Sequence, residues 1–146
     1  MSFPQFLNSF NDKKELNNFD IITKVKELHI ENFKGVFMRN ENKGSATGNE
    51  CFVMNLDDFE NSGTHWTCLF IKNYVCFYFD SYGFPPPNEI LKYCDFPERY
   101  YNSFKIQKPN EVICGHYCIY TLYLLNKGVN FYDILSELYN YNNNKT

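Results

Sequence analysis

Two almost continuously apolar segments follow each other in the middle of the chain, HWTCLFI at 65–71 and YVCFYFD at 74–80. Both are rich in aromatic and β-branched residues and are short, which is typical of strands that are covered on both faces. Only Lys72 and Asn73 separate them. We therefore expect a buried antiparallel hairpin, and the rest of the chain has to cover both of its faces.

The segment at 114–126 is apolar almost all round and ends shortly before Gly128, which predicts a buried helix. Amphipathic patterns predict a helix capped by Asn18, a short helix capped by Asn88 and a final helix in FYDILSELYNY. Further strands are expected in FKGVFMRN, ECFVMNL and YYNSFKIQ. The predicted fold class is α+β, with a mainly antiparallel sheet packed against the central helix that begins at Cys114 and with flanking helices.

The 146 residues predict a single domain, 1–146, in which about 141–146 form a frayed tail. Fourteen basic residues oppose 17 acidic ones, and residues 50–99 hold three basic residues against eight acidic ones. A nucleic-acid-binding protein usually carries a basic stripe, so nucleic acid is not expected to be the main partner.

Six cysteines could pair, but the first residues show no charged start followed by an apolar run, and several cysteines lie within apolar segments. This pattern favours free thiols in a reducing interior over a secreted disulfide scaffold. No apolar stretch reaches the roughly 20 residues that a membrane-spanning helix needs.

Cys114 is predicted at the N-terminus of the buried helix, where a thiol faces the positive end of the helix dipole. A free thiol has a pKa of about 8.5, and such a position beside an imidazolium can lower it to roughly 3.5–7.5. Cys118 lies one turn further along the helix and lacks this advantage. Cys114 is therefore either a nucleophile or a small buried residue of the core.

A thiol nucleophile needs a base, and the chain has three histidines. His29 falls in a charged helix, and His116 follows Cys114 by two helical positions, which points its ring about 200° away. His65 begins a buried strand, and Asp80 ends the next strand of the same hairpin. Antiparallel pairing brings these two positions together, so the carboxylate can orient the imidazole, although either residue could also have only a structural role.

Gln107 is predicted at the end of a strand, seven residues before Cys114. Its amide and the backbone N–H of Cys114 could both donate to an oxyanion, and the loss of one such donor typically costs about 10²–10³ in rate. The four side chains together point to acyl transfer by a cysteine.

In chain order, GTHW, FDSYG, Gln107 and CG resemble the adenovirus-type cysteine proteases, which are relatives of the Ulp-type SUMO proteases. The intervals are 15 residues from His65 to Asp80, 27 from Asp80 to Gln107 and seven from Gln107 to Cys114. Upstream, NNFDII and NFKGVFMR resemble the proteases of virophages and Maverick/Polinton elements. The resemblance covers most of the chain.

The resemblance implies Cys114 as nucleophile, His65 as base, Asp80 as the orienting acid, Gln107 as oxyanion donor and Trp66 as a residue of the substrate site. It also implies endopeptidase cleavage after Gly-Gly or Gly-X sequences. The implied substrates are viral capsid and other structural precursors, processed during maturation in the virion or the host-cell interior.

The adenovirus enzyme uses DNA and a disulfide-linked peptide as activators. This chain is acidic, and its Cys94 does not lie at the matching interval before Gln107. No cofactor is therefore predicted, and a peptide activator of that kind stays open but without support in the sequence. No metal is predicted either.

Four other interpretations stay open at this point. Zinc could bind among the cysteines and histidines, although Cys-x-His-x-Cys is not a usual zinc spacing. The same chemistry could remove a ubiquitin-like modifier or transfer an acyl group to an amine. A non-catalytic capsid or scaffold protein could keep the fold, but it has no need of all four site residues.

Overall fold

A computed structural model describes residues 1–11, 14–57, 65–108 and 111–143. Five strands form one sheet in chain order: β1 (Phe33–Met38), β2 (Glu50–Asn55), β3 (Trp66–Lys72), β4 (Val75–Phe79) and β5 (Glu98–Tyr101). The described part of the chain also has five helices: α1 (Phe3–Asn8), α2 (Asn18–Glu27), α3 (Asn88–Tyr93), α4 (Cys114–Asn126) and α5 (Phe131–Asn143). The predicted α+β class is confirmed.

The predicted hairpin forms the centre of the sheet. β3 pairs antiparallel with both β2 and β4, while the outer pairs β1–β2 and β4–β5 are parallel. Asn73 and Tyr74 link β3 to β4 with φ angles of 51° and 64°. Two consecutive positive φ angles are typical of the tight hairpin turns whose twist matches that of the strands.

Both faces of the hairpin are covered, which explains why its two segments are apolar almost throughout. On one face lies the predicted central helix α4, which is buried along most of its length. On the other face Phe52, Leu69 and Ile71 pack with Ile90 of α3. The sheet and α4 thus form the rigid frame from which the site residues project.

Three local expectations are corrected by the structure. The N-cap of α2 is Asn17 and not Asn18, because the Asn17 side chain accepts the Asp20 N–H while the Asp20 carboxylate accepts the Asn17 N–H. β5 ends at Tyr101, so Gln107 does not end a strand but lies in an irregular segment. α3 begins at Asn88, with Pro87 in the cap position.

The two ends of the chain also differ from the sequence-based picture. The N-terminal residues form α1, which was not predicted and which packs Phe3 against Tyr117 of α4 with ring centroids 4.9 Å apart. α5 continues through Asn143, so 141–143 are helical, and 144–146 lie outside the described residues. Among the described helices none is long and apolar enough to cross a membrane.

Candidate active site

Cys114 is the first residue of α4, as predicted, and only 3% of its surface is exposed. The first N–H groups of a helix have no acceptor within the helix, so they present partial positive charge at this end. The backbone N–H of Trp66 donates to Cys114 Sγ at 3.4 Å. The sulfur therefore lies beside the start of β3 and receives a main-chain hydrogen bond that stabilises negative charge on it.

His65 immediately precedes β3, and Asp80 immediately follows β4. Antiparallel pairing brings the two together as predicted, and His65 Nε2 lies 2.7 Å from Asp80 Oδ1. The Asp80 side chain is completely buried, whereas that of His65 is 12% exposed. The other side chain that acts on the imidazole is the Cys114 thiol.

The pKa of His65 reports the balance of these contacts. Burial lowers the pKa, but hydrogen bonds to Asp80 and Cys114 and the charges of both groups raise it, and the net result is a pKa of about 9. An imidazole normally titrates near 6.5. His65 is therefore held as an imidazolium at neutral pH, placed between a carboxylate and a thiol.

The Asp80 carboxylate is fixed in direction by the turn that follows it. Tyr82 N–H donates to Asp80 Oδ1 at 2.8 Å, and the Tyr82 ring stacks on the His65 ring with centroids 4.4 Å apart. The Asn102 side chain makes two hydrogen bonds to the Asp80 main chain. Its Oδ1 accepts the Asp80 N–H at 3.1 Å, and its Nδ2 donates to the Asp80 carbonyl at 2.6 Å. Gly83 completes the turn with φ of 77°, and a Cβ there would meet the Phe104 carbonyl at 2.7 Å.

Gln107 is almost completely buried, and its amide is held at both ends. Ser81 Oγ–H donates to Gln107 Oε1 at 2.5 Å, and Gln107 Nε2 donates to the Glu111 carbonyl at 2.6 Å. Gln107 is therefore tied on one side to Ser81, which follows Asp80, and on the other side to Glu111, three residues before Cys114.

Trp66 combines a core role with a place at the edge of a cleft. It is 5% exposed, and its indole N–H donates to the Leu16 carbonyl at 3.0 Å. It also borders a cleft of about 450 Å³ together with Leu16 and Asn55. Gly115 makes this packing close, because a Cβ there would lie 3.2 Å from Trp66 Cδ1.

The other five thiols are buried in the core. Burial raises the pKa of Cys51 to about 12 and raises that of Cys118 strongly. Cys76 is the exception, since a hydrogen bond from Cys94 lowers its pKa while raising that of Cys94. No histidine is among the groups that shift the pKa of these four thiols, which are Cys51, Cys76, Cys94 and Cys118.

The remaining histidines lie away from this arrangement. His29 is exposed and follows α2 with φ of 54°. His116 is buried, and its ring contacts Phe10 with centroids 4.5 Å apart. The described residues contain no group of three or more His, Cys, Asp or Glu side chains that could hold a metal ion.

Sequence reasoning missed several residues that support the site. Ser81 and Tyr82 belong to the FDSYG motif, but their pattern indicated only a turn after Asp80. Asn102 had no signal, because it lies in a segment that was expected to be a strand. The position of Ser81 and Tyr82 directly after a candidate catalytic acid was the one available signal.

A scan against protein-family models gives no match, and a search of curated protein sequences gives none either. Solved structures do match. The ASFV pS273R protease has a TM-score of 0.58 and 14% identity, over 90% of this chain and 67% of that chain. Its selenomethionine form has a TM-score of 0.54 and 14% identity, over 90% and 68%. At this identity the likeness concerns the fold alone: the chain has the fold of a viral protease.

Proposed function

We propose that this protein is a cysteine endopeptidase that cuts after glycine-containing sequences, Gly-Gly or Gly-X. One arrangement carries the proposal: the sulfur that begins α4 accepts the N–H of Trp66 and acts on the neighbouring His65 imidazole, and His65 Nε2 lies 2.7 Å from the buried carboxylate of Asp80. A buried ion pair contributes little to stability on its own, because removing both charges from water costs free energy. The similarity in fold to the ASFV pS273R protease supports the same reaction class.

In the proposed mechanism the Cys114 thiolate attacks the carbonyl carbon of the scissile peptide bond. The negative oxygen that forms is held by the Cys114 backbone N–H and by Gln107 Nε2. The His65 imidazolium then gives its proton to the leaving amine, the C–N bond breaks and a thioester remains. Asp80 keeps the imidazole oriented and stabilises its charge throughout.

Water completes the reaction. Neutral His65 takes a proton from a water molecule, whose oxygen attacks the thioester carbonyl. The C–S bond breaks, the acid product leaves, and the thiolate–imidazolium pair is restored. The cycle consumes one water molecule per peptide bond and needs no metal or redox partner.

The confined surroundings of the sulfur support the proposed glycine preference. Cys114 is 3% exposed and Gln107 is 1% exposed, and the Trp66 main chain lies against Sγ. A substrate residue with a large side chain has little room beside this carbonyl, whereas glycine lets the peptide backbone approach closely. Trp66 and the adjoining cleft are proposed to receive the extended substrate.

We further propose that the substrates are viral capsid or other structural precursors, cut during virion maturation in the host-cell interior or the virion. No cofactor, activating peptide or nucleic acid is needed in this proposal, which rests on the acidic balance of the chain.

The test is active-site labelling followed by cleavage. A peptide vinyl sulfone that ends in Gly-Gly should modify Cys114 and no other thiol, as read by peptide mass spectrometry. Cys114→Ala should fold normally and accept no label, and Cys118→Ala, a matched change one helical turn away, should still be labelled. Absent labelling, or equal labelling of several thiols, would contradict the proposal.

A second experiment compares two classes of substrate. Capsid precursor proteins and ubiquitin-like fusions are incubated with the wild-type chain and with Cys114→Ala, and new N-termini are sequenced. Cleavage of the precursors after glycine supports the endopeptidase. Preferential release of the ubiquitin-like modifier would replace it with a deconjugase, and no cleavage of either set would favour a non-catalytic protein.

A further inference from the structure

Ser81 holds the candidate oxyanion donor by its side chain and by its main chain. Its hydroxyl donates to Gln107 Oε1 at 2.5 Å, and its carbonyl accepts the backbone N–H groups of Ile106 and Gln107, each at 2.8 Å. Ser81 has no exposed surface, and Gln107 is 1% exposed. Solvent therefore cannot replace these contacts, and the loss of one would leave a buried polar atom without a partner.

The partners also fix which end of the amide is nitrogen. A backbone carbonyl can only accept a hydrogen bond, so the end of the Gln107 amide that meets the Glu111 carbonyl at 2.6 Å has to be the NH₂ group. The oxygen then faces Ser81, whose hydroxyl has to donate. The amide plane is thus set by two contacts on opposite sides.

This arrangement leaves one hydrogen of Gln107 Nε2 with a fixed direction. An amide nitrogen carries two hydrogens, and Glu111 takes one of them. Within the described residues the other has no acceptor among the hydrogen bonds of Gln107. A donor that is already oriented stabilises a developing oxyanion without paying for reorganisation during the reaction.

Ser81 also follows Asp80 directly in the chain. The same turn therefore anchors the carboxylate that orients His65 and the hydroxyl that orients Gln107. Adjacent residues at the end of β4 therefore hold both parts of the site: Asp80 contacts the acid–base residue His65, and Ser81 contacts the oxyanion donor Gln107.

We propose that Ser81 is a positioning residue that locks the Gln107 amide so that its second N–H points at the oxyanion of the reaction. This inference rests on the proposed cysteine endopeptidase. Ser81 touches no reacting atom in this account and acts through Gln107 alone.

Ser81→Ala should lower kcat by about tenfold to a hundredfold, because a donor displaced by about 1 Å can cost about 10² in rate. KM should change little, since the oxyanion forms only after the substrate has bound. The probe is whichever quenched fluorescent peptide, from a set containing Gly-Gly-Ala or Gly-X-Gly, the wild-type chain cuts fastest. Ser103→Ala, the same change at an exposed position after β5, should match the wild-type chain.

A double-mutant comparison separates positioning from a general structural role. In a Gln107→Ala background there is no amide to orient, so Ser81→Ala should lower kcat by less than twofold further. If the losses instead multiply, Ser81 does not act through Gln107 and the inference is overturned.

Alkylation of Cys114 by iodoacetamide gives the second readout, because this displacement forms no oxyanion. Ser81→Ala should be alkylated at the wild-type rate while peptide cleavage falls. Normal cleavage by Ser81→Ala would overturn the inference but leave the endopeptidase intact. A loss of both alkylation and cleavage would mean that the site has collapsed, which also contradicts positioning through Gln107. A wild-type chain that cuts no peptide and takes no label would overturn the endopeptidase itself, and this inference with it.

Discussion

Asp80→Asn is the substitution that most sharply tests the charge balance at His65. Asparagine has the same size and can still accept the Tyr82 N–H, but it removes the negative charge that lies 2.7 Å from His65 Nε2. In the wild-type chain burial lowers the pKa of His65, and Asp80 and Cys114 raise it to about 9. Without the carboxylate only Cys114 opposes the effect of burial, so we expect the pKa of His65 to fall clearly below its wild-type value.

The size of the effect follows from that pKa. A rise from 6.5 to about 9 corresponds to about 3 kcal/mol, at about 1.4 kcal/mol per pH unit. Because the folded-state pKa lies above the unfolded one, this stabilisation is complete below pH 6.5 and is lost as the pH rises through 9. Because Cys114 also raises this pKa, about 3 kcal/mol is the upper limit by which the gap in the free energy of unfolding between the wild-type chain and Asp80→Asn should shrink between pH 6 and pH 10.

Two measurements check this prediction. Urea unfolding at a series of pH values gives the change in the gap, and NMR titration of the imidazole Cε1–H signals gives the pKa of His65 directly. With three histidines in the chain, His65 can be assigned by a His65→Gln variant. Asp95→Asn, at an exposed position, should leave the His65 signal unchanged. A wild-type His65 that titrates near 6.5 would refute the reasoning.

Three further predictions follow from contacts around the site. Gly115→Ala should displace Trp66, because the new Cβ lies 3.2 Å from Cδ1, and should cost about 1–3 kcal/mol of stability; the fluorescence of the single tryptophan reports the displacement. Tyr82→Ala should release the ring that stacks on His65 at 4.4 Å and lower kcat about tenfold, measured with the peptide probe. Asn17→Ala should remove the α2 N-cap and cost about 1 kcal/mol, measured by thermal unfolding.

Each of these changes has a matched control. Gly44→Ala, which has a positive φ but lies in the 41–49 loop, should leave the tryptophan spectrum unchanged. Tyr82→Phe keeps the stacked ring and should keep the activity. Asn18→Ala alters the first residue of α2 without touching the cap, so it should cost clearly less than Asn17→Ala. Equal effects within any pair would contradict the contact assigned to it.

The central hairpin and helix α4 could be predicted because an element that is buried on both faces has an almost continuously apolar sequence. The central hairpin is covered by α4 on one face and by α3 on the other, so both strands are apolar almost without interruption. His65 and Asp80 flank those strands, and antiparallel pairing alone then brings them together. The buried helix α4 was predicted for the same reason, since the segment at 114–126 is apolar almost all round.

The parts that sequence did not predict depend on irregular backbone and on long connections. The parallel pairing of β5 with β4 requires the chain to return through α3, and no local pattern records that path. The sequence predicted a strand through Gln107, but β5 ends at Tyr101, and beyond it the chain is held by the Asn102 side chain and by the Ser81 carbonyl, contacts that leave no periodic pattern. Gln107 was therefore chosen for its chemistry, and the hydroxyl that orients its amide could be found only from coordinates.

The central claim is that Cys114, at the start of α4 and beside the His65 imidazolium, is the nucleophile of this protein. The most direct measurement is the rate of Cys114 alkylation by iodoacetamide at pH 7, followed by peptide mass spectrometry in the wild-type chain and in His65→Gln. We predict that Cys114 of the wild-type chain reacts faster than each of the other five thiols, and that His65→Gln loses this difference. A Cys114 that reacts no faster than the other thiols, or that reacts at the same rate in His65→Gln, would contradict the claim.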